Sequence, residues 1–120
     1  MYLRDIINIT QAQFLSHEAD PKREVRSAFA SDLMSDVLRY DVTNGLLITG
    51  LTNPQTIRTA EMADAVAVLI VRGKQPPPET LQLANQVGIP VLATEMIMFE
   101  TCGRLHAAGL PACKRYEDSE

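Results

Sequence analysis

The stretch Ala67–Thr94, AVLIVRGKQPPPETLQLANQVGIPVLAT, decides the architecture. It continues a β-branched apolar run that starts at Ala65 and ends at Val71. An alternating run faces water on one side, whereas an unbroken one is covered on both faces, as in a parallel sheet. The chain then passes through Arg72-Gly73-Lys74 to Pro76, Pro77 and Pro78. Pro78 presets the torsion of a first helical residue, where a missing N–H costs nothing. PETLQLANQVG follows as a helix, with Leu81, Ala84 and Val87 expected on one side. Gly88 suits a left-handed cap, and Pro90 blocks any continuation. VLAT, Val91–Thr94, is the next strand. Pro76 and Pro77 stiffen the link, which lowers the entropy of the unfolded chain. A triple proline also serves as a ligand for aromatic grooves, but here the flanking strand and helix account for it.

The same rhythm extends in both directions. Leu46–Thr49 is a short apolar run between Asn44-Gly45 and Gly50, and reads as a buried strand. LTNPQTIRTAEMAD reads as a helix capped by Asn53, opened by Pro54 and buried along Ile57, Ala60 and Ala63. EMIMFETCGRLHAAG reads as the last helix, with Met98, Cys102 and Leu105 on one stripe. Upstream, REVRSAFAS reads as a strand, and Ser31 as the cap of a helix DLMSDVLRY. TQAQFLSH reads as a further strand, YLRDII as a short helix, and HEADPKRE as a surface turn. Strand–helix–strand alternation implies parallel strands joined by right-handed crossovers. The expectation is an α/β fold in one domain, residues 1–120, with its core over about 25–110 and a flexible tail over 114–120.

Composition narrows the function classes. The net charge of −4, the absence of Trp, and only three Phe and three Tyr argue against a nucleic-acid partner. The only cysteines are Cys102 and Cys113, which form no CxxC, so a reduced cytoplasmic setting is expected. MYLRDIINIT has no apolar signal region, and no run is long enough for a membrane span.

Ligands of parallel sheets bind beyond the carboxyl ends of the strands. Those ends carry Ser31 and Asp32; Thr49, Gly50, Thr52 and Asn53; Arg72, Gly73 and Lys74; Thr94 and Glu95. Hydroxyls, glycines and two cations beside helix N-termini suit an anion. The expected ligand-binding residues are Thr49, Asn53, Arg72, Gly73, Lys74 and Thr94, although most of them also serve as caps and turns. RGKQ lacks the first Gly and the final Ser or Thr of a phosphate loop, and TGLTNP is no GxGxxG. Cys102 and His106 share a helix face, which suits half a metal site or a thiolate–imidazole pair. Nothing in the sequence supplies a second half, so neither a catalytic residue, a metal nor a cofactor is expected. Met62, Met96 and Met98 fit a core or an adaptable dimer face.

LLITGLTNPQTIRTAEMADAVAVLIVRGKQPPPETLQLANQVGIPVLATEMIMFETCGRL resembles the DRTGG domain, and is similar to the amino-terminal domain of HPr kinase/phosphorylase. The most specific part is VRGKQPPPETLQLANQVGIPVLAT. The family's namesake Asp-Arg falls at Asn53-Pro54 and its Thr-Gly-Gly at Val71-Arg72-Gly73, where Gly73 alone is retained. ASDLMSDVL and TCGRLHAAGL resemble stand-alone DRTGG proteins found beside iron-only hydrogenase components. The resemblance implies a three-layer α/β sandwich with a mainly parallel sheet. It also implies a non-catalytic regulatory role, because the kinase chemistry of HPr kinase sits in a separate domain. The expected function is therefore binding of a nucleotide, a phosphorylated metabolite or a protein partner by a homodimer. The alternative is a ligand-free assembly protein for a redox enzyme such as hydrogenase, marked by an exposed apolar patch at Met96, Phe99 or Leu105.

Overall fold

The computed structural model describes residues 1–116. Five helices and five strands follow one another as α1 (Leu3–Thr10), β1 (Gln13–Phe14), β2 (Ala28–Ala30), α2 (Met34–Val37), β3 (Leu46–Thr49), α3 (Pro54–Met62), β4 (Ala67–Ile70), α4 (Pro78–Val87), β5 (Val91–Ala93) and α5 (Met98–Ala107). The strands form one sheet in the order β1-β5-β4-β3-β2. β2, β3, β4 and β5 run parallel, and β1 pairs antiparallel with β5 at the edge. The sheet is thus mainly parallel, as the unbroken apolar runs imply. All residues of β3 and β4 are buried.

Alternate strand residues feed two separate cores. Leu46, Ile48, Leu69 and Leu92 face Leu3 and Ile6 of α1 and Leu105 of α5. Leu47, Val68, Ile70 and Val91 face Val37 of α2, Ile57 and Ala60 of α3, and Leu83 and Ala84 of α4. The result is a three-layer α/β sandwich. Its core reaches further toward the amino terminus than residue 25, because Leu3 and Ile6 are fully buried. Among the described residues, every buried side-chain nitrogen or oxygen has a hydrogen-bond partner, and no helix is long and apolar enough to cross a membrane.

The helix punctuation follows its chemistry. Asn53 Oδ1 accepts from Thr56 N at 3.1 Å, and Pro54 opens α3. Pro77 takes the extended cap conformation, Pro78 opens α4, and Gly88 closes it at φ 77°. On α4, Thr80, Leu83 and Ala84 are buried, and Leu81 and Val87 are partly buried against the same core. A hydrogen bond from Thr80 Oγ1 to the Thr52 carbonyl, 2.8 Å, ties that turn to the β3–α3 loop and sets the helix phase. One expectation needs correction: the helix expected over Asp32–Tyr40 shrinks to a single turn. Ser31 Oγ accepts from Leu33 N, and the Asp32 carboxylate turns toward β3, so neither residue joins the helix.

The carboxyl-terminal segment is tied down further than a tail starting at residue 114 implies. Ala112 lies beside Ala28 as a parallel bridge, and Tyr40 pairs with Arg115. Asp41 N donates to the Lys114 carbonyl, and Tyr116 N to that of Arg39. The rest of the expected tail, residues 117–120, lies outside the described residues.

Leu69 sits in the central strand with no exposed surface. Leu69→Ala is expected to cost about 2–5 kcal/mol, the range for a large-to-small change in a packed core. Urea denaturation followed by far-UV circular dichroism measures it.

Candidate functional site

The parallel register aligns the strand ends. Thr49 lies level with Ile70, and Ile70 with Ala93. The loops after β2, β3, β4 and β5 therefore emerge along one rim. The loops after β4 and β5 diverge: β4 leads to α4 on one face and β5 to α5 on the other. In α/β sheets such divergence can open a ligand crevice, but here backbone hydrogen bonds join the two loops, and the exposed charged groups gather toward β2 and β3.

Asp32 is the hub of the rim at β2 and β3. Its Oδ1 accepts from Gly50 N at 2.7 Å and from Thr49 Oγ1 at 2.9 Å. Thr49 Oγ1 in turn accepts from Leu51 N at 3.1 Å. The Gly50 N–H that an anion would seek is thus taken by a carboxylate of the chain itself. The Gly50 hydrogen bond is the largest influence holding the Asp32 pKa below its ordinary value; the Thr49 bond and the charges of Arg72 and Lys74 add to it against a desolvation cost.

The Arg72 guanidinium lies across Gly50. A side chain at position 50 would place its Cβ 2.7 Å from Arg72 Nη2 and 3.5 Å from Asp32 Oδ2. That contact records where the exposed guanidinium rests; as the far end of a flexible side chain it would swing aside for a larger residue at position 50. Arg72 itself has φ 64°, followed by Gly73 at φ 63°. Two successive residues at positive φ form the tight turn that ends β4. Arg72 N donates to the Met96 carbonyl and Gly73 N to the Thr94 carbonyl, both at 2.9 Å, which locks this turn to the β5–α5 loop. The Glu95 carboxylate lies where a Cβ on Gly73 would sit. Arg72, Lys74, Asp32 and Glu95 are all exposed. The rim therefore presents two cations interleaved with two carboxylates.

The six residues expected to bind a ligand divide in this geometry. Thr49, Arg72, Gly73 and Lys74 gather around Asp32 and Gly50. Asn53 is exposed nearby in sequence, but its side-chain oxygen is engaged with Thr56 N and Oγ1. Thr94 lies beside the Arg72-Gly73 turn, its carbonyl accepting from Gly73 N, but its hydroxyl turns inward. Its Oγ1 donates to the Thr10 carbonyl at 2.6 Å and accepts from Met96 N at 3.2 Å. It is buried on the α1 face, opposite to the face of Thr49. Strand alternation sends hydroxyls one residue out of register to opposite sides. The central role of Asp32 is not visible in the sequence, where it reads as the first residue of a helix capped by Ser31. The signal that existed was the Ser31–Asp32 pair at the end of a parallel strand.

Cys102 and His106 line a small apolar cavity with Leu105, Ala28, Ala30 and Ile48. Burial pushes the Cys102 thiol up, so it is protonated and a weak nucleophile at neutral pH. Among the described residues, no group of three or more His, Cys, Asp or Glu side chains is arranged to hold a metal ion.

The sequence profile of the DRTGG domain matches residues 5–108, most of the chain, and the chain belongs to the DRTGG domain family. Among solved structures it is similar to the CBS and DRTGG domains of the regulatory region of Clostridium perfringens pyrophosphatase, determined with the activator diadenosine tetraphosphate. The TM-score is 0.68 at 15% sequence identity, over 96% of this chain and 51% of that one. At that identity the likeness is one of fold, and the present chain spans about half the length of its neighbour. No curated protein matches in sequence.

Two substitutions separate scaffold from site. Asp32→Ala strands the buried Thr49 hydroxyl and the Gly50 N–H, and is expected to cost about 1–3 kcal/mol at pH 7. A carboxylate with a lowered folded pKa stabilises above its unfolded value, near 3.9, and ceases to do so as pH falls through the folded value. The gap between wild type and Asp32→Ala in urea midpoint should therefore narrow below pH 4. Thr94→Val leaves the Thr10 carbonyl without its buried partner and should cost about 1–3 kcal/mol. Hydrogen exchange should show α1 loosening first.

Proposed function

We propose that this chain is a non-catalytic regulatory module that binds a nucleotide or phosphorylated metabolite at the rim of β2, β3 and β4, and that it works as a homodimer. The observation that carries the reading is Arg72. A non-glycine residue at positive φ costs roughly 1–2 kcal/mol, and glycine or asparagine would make the same turn more cheaply. The strained backbone at Arg72 supports a use for its side chain. Its guanidinium lies over a glycine, exposed, with Lys74 beside it. These two cations suit a phosphate.

The adjacent carboxylates refine the ligand class. Asp32 spends Oδ1 on the protein, and Oδ2 lies toward Gly50 and Arg72. A carboxylate oxygen in that position accepts a sugar hydroxyl. Bare inorganic phosphate would meet Asp32 and Glu95 as repulsive neighbours. A ligand with both hydroxyls and phosphate, such as a nucleotide, meets complementary groups across the rim. The nucleotide activator of the pyrophosphatase regulatory region is consistent with this class. Thr49 and Gly73 shape the site through Asp32 and the turn, and Asn53 borders it at the start of α3.

The second reading is an assembly module that docks onto a partner such as a redox enzyme. Phe99 at 86% and Ile97 at 57% exposure favour it. Leu105, expected in the same patch, is instead core, at 1% exposure.

Isothermal titration calorimetry with ATP, ADP, AMP, diadenosine tetraphosphate and inorganic phosphate tests the first reading. Nucleotide should bind better than phosphate alone. Arg72→Ala should weaken binding by about 1.5–3 kcal/mol, the worth of a charge-assisted hydrogen bond, while Thr94→Val should leave it unchanged. A folded sample that binds none of these ligands overturns ligand sensing at this rim and leaves the assembly reading.

A further inference from the structure

We propose that the outer face of α5 receives a second copy of this chain, packed about a two-fold axis that passes beside Gly103. This rests on the homodimer reading above and assigns it a surface. On the sheet face that carries α5, α1 covers the β5 side, where Thr94 ties it down. On the β2 side a gap remains between α5 and residues 110–112, which run beside Ala28. There Ala28, Ala30 and Ile48 floor a groove walled by Cys102 and His106, with a cavity of about 120 Å³. Apolar cavities of about 150 Å³ accept benzene. The alanines of β2 are too small to fill the space themselves.

The knob that fits such a hole is on the same helix. Phe99 is 86% exposed, the most exposed large apolar side chain among the described residues. It lies seven residues before His106, or about 10 Å along the helix axis, on the same outward side. Gly103 stands between them, exposed, and a Cβ there would meet nothing within 4 Å. A two-fold axis perpendicular to α5 and midway between Phe99 and His106 makes the two helices antiparallel. Each Phe99 then lies over the groove of the other copy, and the helices approach where Gly103 offers no side chain. A self-complementary patch of this form is what an isologous interface requires.

Charge agrees with the same axis. Glu100 and Arg104 form an ion pair at 3.0 Å within α5, with side chains 44% and 53% exposed. Their midpoint nearly coincides with that of Phe99 and His106. The two-fold therefore sets Glu100 of one copy against Arg104 of the other, twice. Like charges never face each other, and the apolar knob sits beside a charged rim, the usual anatomy of a protein interface. The antiparallel arrangement is the one that satisfies both relations, whereas a parallel pairing sets Phe99 on Phe99 and Glu100 on Glu100.

Sedimentation equilibrium of the full chain, together with disulfide trapping, tests the interface. Wild type should be dimeric at micromolar concentration. Phe99→Asp should weaken self-association by roughly 30-fold or more, as for an aromatic anchor, with an unchanged circular dichroism spectrum. Glu100→Arg should also weaken it, and the double variant Glu100→Arg/Arg104→Glu should restore it. In a Cys102→Ala background, Gly103→Cys should form an intermolecular disulfide under mild oxidation, because the axis brings the two positions together. A dimer indifferent to Phe99→Asp and not trapped by Gly103→Cys overturns this interface while leaving the homodimer standing. A monomeric wild type overturns both. Nucleotide binding by Phe99→Asp is measured in parallel, so failure of the surface is distinguishable from failure of the rim.

Discussion

A parallel ladder buried on both faces has no water with which to satisfy its backbone, so every N–H and C=O must pair within it. That constraint governs this molecule. It demands apolar side chains in both directions from β3 and β4, which are buried along their whole lengths. It demands helices over both faces, supplied by α2, α3 and α4 on one and by α1 and α5 on the other. It also brings the carboxyl ends of four strands to one level, and that alignment creates the rim.

At the rim the ladder ends, and its last polar groups must find other partners. Asp32 supplies one solution by accepting from Gly50 N and Thr49 Oγ1. The turn at Arg72-Gly73 supplies another, donating two backbone N–H groups to the β5–α5 loop. These structural bonds leave the Arg72 and Lys74 cations exposed beside two carboxylates. Structure and recognition are therefore not separable at Asp32: it holds the β3 loop in shape and lowers the local positive potential. On the proposed reading, that mixture of charges is what would favour a hydroxyl-bearing phosphate over a simple anion.

The rim and the outer face of α5 are connected through the β5–α5 loop. Met96 accepts from Arg72 N and lies directly before the exposed Ile97 and Phe99. A ligand that shifts the Arg72 turn therefore acts on the loop that starts α5. On the proposed reading, such a link is a short physical path from a bound ligand to self-association.

The sequence alone determined the regular parts of this protein. Apolar runs at Leu46–Thr49, Ala65–Val71 and Val91–Thr94, punctuated by Asn53-Pro54, Pro77-Pro78 and Gly88, specify parallel strands and helix boundaries because local torsions and burial on both faces act residue by residue. Thr49, Arg72, Gly73 and Lys74 lie along one rim for the same reason, since strand ends in a parallel sheet are level. Tertiary structure alone decided the rest. The Thr94 hydroxyl turns toward α1, a contact across 84 positions. Asp32 became the hub and shortened its helix because Thr49 and Gly50 lie beside it only after β2 and β3 pair. On α5, by contrast, the stripe of Met98, Cys102 and Leu105 read from the sequence is the side that packs on the sheet, and Phe99 is left at the surface. Periodicity reports that a helix has an apolar side, but the partners of a polar group are set by which distant segments the fold brings within hydrogen-bonding reach.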